Sequence, residues 1–362
     1  MLKTNERPTI YDVARRASVS ANTVSRALNG KPNVAEATRL RIVQAAEELQ
    51  YHPHLGARSL RTEQEGSVGL IFPAPPNIIP VGRNFFLDMC SELYRIFGTQ
   101  GDRIAIDLNP YADGKNRDYA RSVWEKRCSV AFFAGPMASD DSIIARVHHS
   151  GIPYLTLGRL DSLPECSCAT VDYEQATYDS VACLVSRGHR RIGLLQGLPG
   201  FQPGVERERG YLRALEAFDI APEKRLIQPV SFDASEVARA TYRLLNDPGV
   251  TALVEASGAE NATAIRDSAR RAGRRVGKDF DIVCWTYSLQ HALLNEAVAH
   301  LWLPVREAAS EGLELLAEWH RGERSEPIRL VYQPTLTETS ALDPEPSEEV
   351  ARATHLFDGN RL

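Results

Sequence analysis

The residues best placed to do chemistry in this chain are Asn22 and Arg26. An Asn amide can grip an adenine edge through two hydrogen bonds, and an Arg guanidinium can do the same for guanine. Both lie in the stretch Thr9 to Asn29, TIYDVARRASVSANTVSRALN. The local sequence makes two short helices there. Thr9 can cap the first, with Asp12 three residues on as its capping-box partner. Ser20 can cap the second, just after a Ser18–Val19 corner. Val13, Ala14 and Ala17 share one face of the first helix, and Val24, Ala27 and Leu28 share one face of the second. The corner has little room, and its packing residues Ala14, Ala17 and Val19 are small. This is the pattern of a helix-turn-helix whose second helix enters a major groove, with Ala21, Asn22 and Arg26 pointing outward near its start. The bland alternative is a small helical cap carrying exposed polar residues.

Charge follows the same division. Residues 1–61 hold ten Lys or Arg and five acids, so they carry +5; with a net charge of −5, the rest of the 362-residue chain carries −10. A basic head on an acidic body fits a polyanionic partner for the head alone. The length allows about two to three domains. A hydrophobic content of 43% and a charged content of 25% are ordinary globular values. No apolar run is long enough for a membrane span, and the first residues, MLKTNERPT, lack the apolar segment of a secretory signal. A cytoplasmic protein with no membrane partner is expected. Cys90, Cys128, Cys166, Cys168, Cys183 and Cys284 include no C-x-x-C pair, so free thiols are expected and neither a metal nor a cofactor.

The order TIYDVARRASVSANTVSRALNG, then TRLRIVQAAEELQYHP, then an A-R-S-L segment resembles the LacI/GalR (lactose-repressor/galactose-repressor) family of bacterial transcriptional regulators. The resemblance implies that Ala21, Asn22 and Arg26 face bases and that Tyr11, Ser20, Thr23, Ser25 and Asn29 approach phosphates. It implies that the segment with Ala57, Arg58 and Leu60 enters the minor groove at the centre of a near-palindromic operator, where paired Leu60 side chains wedge between bases. Read from its residues alone, that segment is either a flexible linker or a short hinge helix that folds on DNA, since Gly56 weakens so short a helix. Two departures stand out. Ala35 replaces the usual Ser cap of the third helix, and His54 replaces a hinge Asn. In that third helix, about Glu36 to Leu49, the spacing predicts that Leu40, Val43, Ala46 and Leu49 pack on the first two.

From Ser67 the pattern becomes alternating strands and helices, which implies open parallel sheets covered on both faces. The expected fold is an N-terminal all-α helix-turn-helix head plus an α/β bilobed periplasmic-binding-protein-like core of two doubly wound parallel sheets. The domains are 1–52 (head), 53–65 (hinge or linker), 66–341 (ligand-binding and dimerisation core) and 342–362 (an acidic flexible tail without heptads). By the resemblance the chain crosses between lobes three times, with lobe one about 66–165 plus 290–325 and lobe two about 166–289 plus 326–341.

Open α/β sheets bind ligands beyond the carboxyl ends of their strands. Matching the family along GHRRIGLL and RERGYLRAL places Arg207 in the cleft, where the matching arginine of relatives bonds a ligand hydroxyl or carboxylate. Read alone, Arg207 is one of a run of alternating charges, Glu206 to Arg209, that suits a surface salt bridge. Gly258-Ala259 and Cys284-Trp285-Thr286 stand where the family carries Asn-Asp and Gly-Phe/Tyr-Asp. Two sugar-gripping carboxylates are therefore missing. Either Glu255, Glu260 or Asn261 substitutes, or the ligand is less hydroxylated, or it is itself acidic and held by Arg207 and Arg159. Trp285 and Tyr287 offer stacking faces, though a Trp ending a strand suits a core equally well. Asn84, Phe86, Asp172 and Thr286 complete the candidate lining. No Gly-x-Ser-x-Gly elbow, Walker loop or metal-spaced histidine appears, so no catalysis is expected.

Together these features predict a homodimeric, sequence-specific DNA-binding regulator, a repressor of carbon-source utilisation genes. Its operator affinity would be set by a sugar or sugar derivative between the lobes. The alternatives are a cytosolic solute-binding sensor without operator binding, which the basic head disfavours, and a cytosolic sugar-processing enzyme, which lacks a catalytic group.

Overall fold

The computed structural model describes residues 8–28, 34–49, 51, 67–73, 83–107, 118–197, 199–231, 233–257, 261–286 and 296–339, with the side chains of 83 and 84 left out. Two compact units divide between residues 66 and 67. Asn29, the segment with Ala57, Arg58 and Leu60, the tail beyond 339, and the side chain of Asn84 lie outside the described residues.

The first unit contains α1 (Ile10–Ala17), α2 (Ala21–Leu28) and α3 (Glu36–Glu48). The Asp12 carboxylate accepts the Thr9 N–H at 2.9 Å and the Thr9 hydroxyl at 2.6 Å, which holds the start of α1. Ser18 turns the corner in the left-handed region (φ 55°), and the Val19 N–H reaches back to the Ala14 carbonyl at 3.0 Å. The Ser20 hydroxyl then accepts the Thr23 N–H at 3.1 Å and caps α2. Val13, Ala17, Val24, Ala27, Ile42 and Ala45 form the core. The expected face of α3 is partly wrong. Ala46 and Leu49 do pack, but with Ile42 and Ala45, while Leu40 is 64% exposed and Val43 is exposed. Two apolar stripes at helical spacing share this helix, and spacing alone does not choose between them. Ala35 makes no side-chain cap. Instead Arg39 on α3 donates to the Ala27 carbonyl at 2.7 Å, which satisfies the end of α2.

In the second unit the chain runs through β1 (Ser67–Ile71), α4 (Arg83–Ile96), β2 (Ile104–Asp107), α5 (Arg121–Trp124), β3 (Cys128–Phe133), α6 (Ser142–Ser150), β4 (Tyr154–Leu157) and β5 (Cys168–Val171). It continues through α7 (Tyr173–Ser186), β6 (Ile192–Leu195), α8 (Gln202–Ala217), β7 (Ile227–Gln228), α9 (Ala234–Leu245), β8 (Ala252–Glu255), α10 (Ala262–Arg271), β9 (Asp281–Thr286) and β10 (Ala299–Trp302). It ends with α11 (Val305–His320), β11 (Arg329–Tyr332) and β12 (Thr335–Glu338). One six-stranded sheet has the order β11-β5-β4-β3-β1-β2 and is parallel throughout. The other, β12-β10-β9-β8-β6-β7, is parallel except for antiparallel β12. Central strands such as β5, β6 and β8 are buried along their whole length, as strands covered on both faces must be.

The lobe boundaries differ from the expected ones. Residues 168–171 pair with β4 in the first sheet, 299–302 pair with β9 in the second, and 329–332 return to the first. The crossings therefore fall after β5, between β10 and α11, and between β11 and β12. Helix α11 packs on β4, β5 and α4, and Gly312 lets it approach closely: an added Cβ would lie 2.9 Å from the Ala169 Cβ.

Candidate functional site

On the head, Asn22 and Arg26 are exposed on α2, while Ala21 is half-buried against the core. Tyr11, in the first turn of α1, is 69% exposed. Thr23 and Ser25 are half-buried on α2. Ser20 keeps its hydroxyl 2.8 Å from that of Thr23 while capping the helix. Small buried alanines bring the helices together and leave α2 presenting the Asn22 amide in its first turn and the Arg26 guanidinium in its last.

In the body, the strand ends of the second sheet meet the N-terminal turn of α8. Arg207, on the second turn of that helix, is only 7% exposed. Its Cζ lies 5.2 Å from the centroid of the Tyr173 ring and 5.2 Å from that of Trp285, two rings stacked at 6.3 Å and 15°. Its Nη1 donates to the Gln196 carbonyl at 3.3 Å, and its Nε has no partner. Burial holds the guanidinium below its ordinary value, against the nearby charges of Tyr173, Glu255 and Glu206. Gly197 makes room. It sits at φ 62°, and a Cβ there would lie 2.7 Å from the Ala256 carbonyl oxygen and 2.7 Å from Arg207 Nη1.

The other expected residues divide. Glu255, at the end of β8, is buried, and its Oε1 accepts the Ser257 N–H at 2.8 Å and the Ser257 hydroxyl at 2.5 Å. Asn261 donates to the same hydroxyl at 3.3 Å. Thr286 is buried at the end of β9. Trp285 belongs to the core. It is 2% exposed and its indole N–H donates to Ser180 at 3.0 Å, so it supports Arg207 and offers a ligand no open face. Phe86 is half-buried, edge-on to Phe72 at 5.7 Å. Asp172 caps α7 by accepting the Gln175 N–H at 3.0 Å, and lies 3.7 Å from Arg159. Glu260 and Tyr287 lie outside the described residues.

Arg159 follows β4 in the first lobe and donates from Nε to Glu206 on α8 at 2.8 Å. Asp161 accepts from Arg209 at 2.6 Å, and the Gln202 N–H reaches the Met137 carbonyl at 2.9 Å. These contacts bridge the lobes. An open depression of about 560 Å³, lined by Arg159, Leu160, Asp161, Pro164, Glu174 and Arg209, lies on that seam. The sequence reading missed Tyr173, Gln202 and Glu206. The last two sit at i and i+4 on the first turns of the helix that carries Arg207, and that spacing was the available signal.

A helix-turn-helix head in one chain with a two-lobed α/β body that encloses buried polar groups is the build of a ligand-responsive regulator. The sequence model of bacterial regulatory proteins of the lacI family matches residues 9–54, and that of the periplasmic binding protein-like domain matches 181–339. Catabolite control protein A of Priestia megaterium is 25% identical over 313 residues, 86% of this chain and 92% of that protein. The regulator CelR of Thermobifida fusca is 28% identical over 344 residues, 92% of this chain and 97% of that one. The crystal structure of the Lac repressor dimer bound to operator and the anti-inducer ONPF shares the fold. It has 20% identity and a TM-score of 0.73, over 93% of this chain and all of that one. The CelR–cellobiose complex aligns with a TM-score of 0.65 and 24% identity, over 92% of this chain and 100% of that one.

The chain belongs to the LacI family of bacterial regulatory proteins. It is a DNA-binding transcriptional regulator and not an enzyme. Among the described residues no helix is long and apolar enough to cross a membrane.

Proposed function

We propose that two copies of this chain form a cytoplasmic repressor of carbon-source utilisation genes that reads a near-palindromic operator and answers to a sugar or sugar derivative. On the head, Ala21, Asn22 and Arg26 read bases, and Tyr11, Ser20, Thr23, Ser25 and Asn29 hold phosphates. Ala57, Arg58 and Leu60 enter the minor groove. In the cleft, Arg207 anchors the ligand, with Asn84, Phe86, Arg159, Asp172, Glu255 and Thr286 around it and Trp285 behind it.

The observation that carries this reading is Arg207 itself. A buried guanidinium with five donors makes one long hydrogen bond and leaves Nε unpaired at the ends of the strands. Such a group is costly unless something arrives to pair with it. The solved complex of a relative with cellobiose supports a sugar as that partner. The bridging contacts of Arg159, Asp161 and Met137 give a ligand two states to distinguish, since it shifts operator affinity only by binding the closed and open lobes unequally. The test is a thermal-shift screen of sugars and sugar derivatives, followed by operator titration with each compound that binds. A bound compound that leaves DNA affinity unchanged at every concentration sinks the regulatory link.

A further inference from the structure

Three polar atoms on the first turns of α8 have no partner: Gln202 Oε1, Glu206 Oε2 and Arg207 Nε. Their residues are 2%, 1% and 7% exposed. One oxygen of Glu206 is already engaged. Glu206 Oε1 already accepts from Arg159 Nε at 2.8 Å and from Gln202 Nε2 at 3.0 Å. Buried polar atoms of native proteins are nearly always paired, so three orphans within six residues at one cleft mark a place for a guest. The orphans also specify its chemistry, since two are acceptors and one is a donor.

We infer that Gln202 and Glu206 are ligand-reading residues, and that together with Arg207 they take a neutral, hydroxyl-rich ligand through two donated hydrogen bonds and one accepted one. This rests on the cleft being the effector site. Neighbouring hydroxyls fit because each can donate to a carboxylate or amide oxygen and accept from a guanidinium. A sugar acid or sugar phosphate fits poorly. Where its anionic end faces Gln202 and Glu206 it only accepts, so it leaves both acceptors unpaired. Arg159, the second cation an acidic ligand would need, is already held by Glu206 and Asp172. The same pair explains a preference for closure. Arg159 belongs to the first lobe and Glu206 to the second, so the carboxylate is oriented and neutralised for the ligand only when the lobes meet.

The test uses the full chain and matched probes, D-glucose against D-glucuronate and D-galactose against D-galacturonate, followed by calorimetric titration and operator binding. A neutral member should bind, and its uronate should bind at least tenfold more weakly. Glu206→Gln turns an acceptor into a donor at nearly constant shape. It should weaken the neutral sugar about 10- to 100-fold, the worth of a hydrogen bond to a charged group, and narrow or reverse the preference against the uronate. Gln202→Ala should weaken the neutral sugar with no gain for the uronate. A uronate that binds as well as its sugar overturns the inference. So does a panel in which no neutral sugar binds, or unchanged affinities in both variants with melting curves like the parent's. A neutral sugar that binds with this pattern but leaves operator affinity unchanged supports the inference and refutes the regulatory reading instead.

Discussion

Gly197→Ala should disable the cleft while leaving the chain folded. The native φ of 62° suits glycine, and any L side chain there costs about 1–2 kcal/mol. The new methyl would also sit 2.7 Å from the Ala256 carbonyl oxygen, 2.7 Å from Arg207 Nη1 and 3.1 Å from the Ser257 Cα. Two of these three neighbours are backbone and cannot swing aside, so overpacking adds about 1–3 kcal/mol. A total near 2–5 kcal/mol lies below the roughly 5–15 kcal/mol that holds a typical domain together. The body should therefore still fold, with a melting temperature lowered by roughly 3–8 °C for a unit of this size. The guanidinium is the easiest of the three to move, and moving it breaks its bond to Gln196 and its place over Tyr173 and Trp285. Effector affinity should fall at least tenfold, read by calorimetry beside a melting curve, while promoter binding without effector persists. A variant that melts within about a degree of the parent and binds the same sugar equally well would show that Gly197 is not needed to seat Arg207.

Further outcomes follow from other parts of the chain. Arg26→Ala should cost about 1–3 kcal/mol on the cognate site and far less on scrambled DNA, because the lost contact is to a base; equal losses on both would assign Arg26 to the backbone. Ile42→Ala opens a cavity worth about 2–5 kcal/mol in a head too small to absorb it. DNA binding should vanish while sugar binding by the body survives, and loss of both would contradict two independent units. His300 is buried in β10 with Nδ1 unpartnered, and burial holds its imidazole below the ordinary value of 6.5. The unfolded chain then takes up a proton that the folded chain refuses, so stability should decline as the pH falls below about 6.5. His300→Asn should flatten that decline in melting curves taken across the range, and an unchanged slope would exclude His300 as its source.

The head was readable because its signals are local. Thr9 with Asp12, and Ser20 with Thr23, make caps whose partners lie three residues away, and the alanines between them admit only close packing. Helix α3 was harder, since Leu40 and Ile42 each start an apolar stripe and only tertiary contact selects the second. In the body, β6 and β9 announced themselves as apolar runs. Cys168–Val171, Ala299–Trp302 and Thr335–Glu338 did not, being four-residue strands with polar members whose pairing is set by chain crossings far away in sequence. That is why the lobe boundaries shifted. The run Glu206 to Arg209 read as alternating surface charge. Helical geometry instead turns Glu206 and Arg207 inward and leaves Arg209 partly exposed against Asp161, an outcome that depends on where the other lobe lies. Trp285 illustrates the opposite limit, because its sequence position suited core and cleft equally and its bond to Ser180 decided for the core.

The proposed regulation requires that residues of α2 read DNA under control of the body. A fluorescence-anisotropy titration of the full chain against DNA from upstream of its own coding region tests this most directly, repeated with scrambled DNA, with residues 1–61 removed, and with the sugar found to bind the cleft. Binding should weaken steeply with salt and favour the upstream fragment. It should disappear with the head, and its midpoint should move when the sugar is added. Equal affinity for scrambled DNA, or binding that survives removal of residues 1–61, would contradict that requirement.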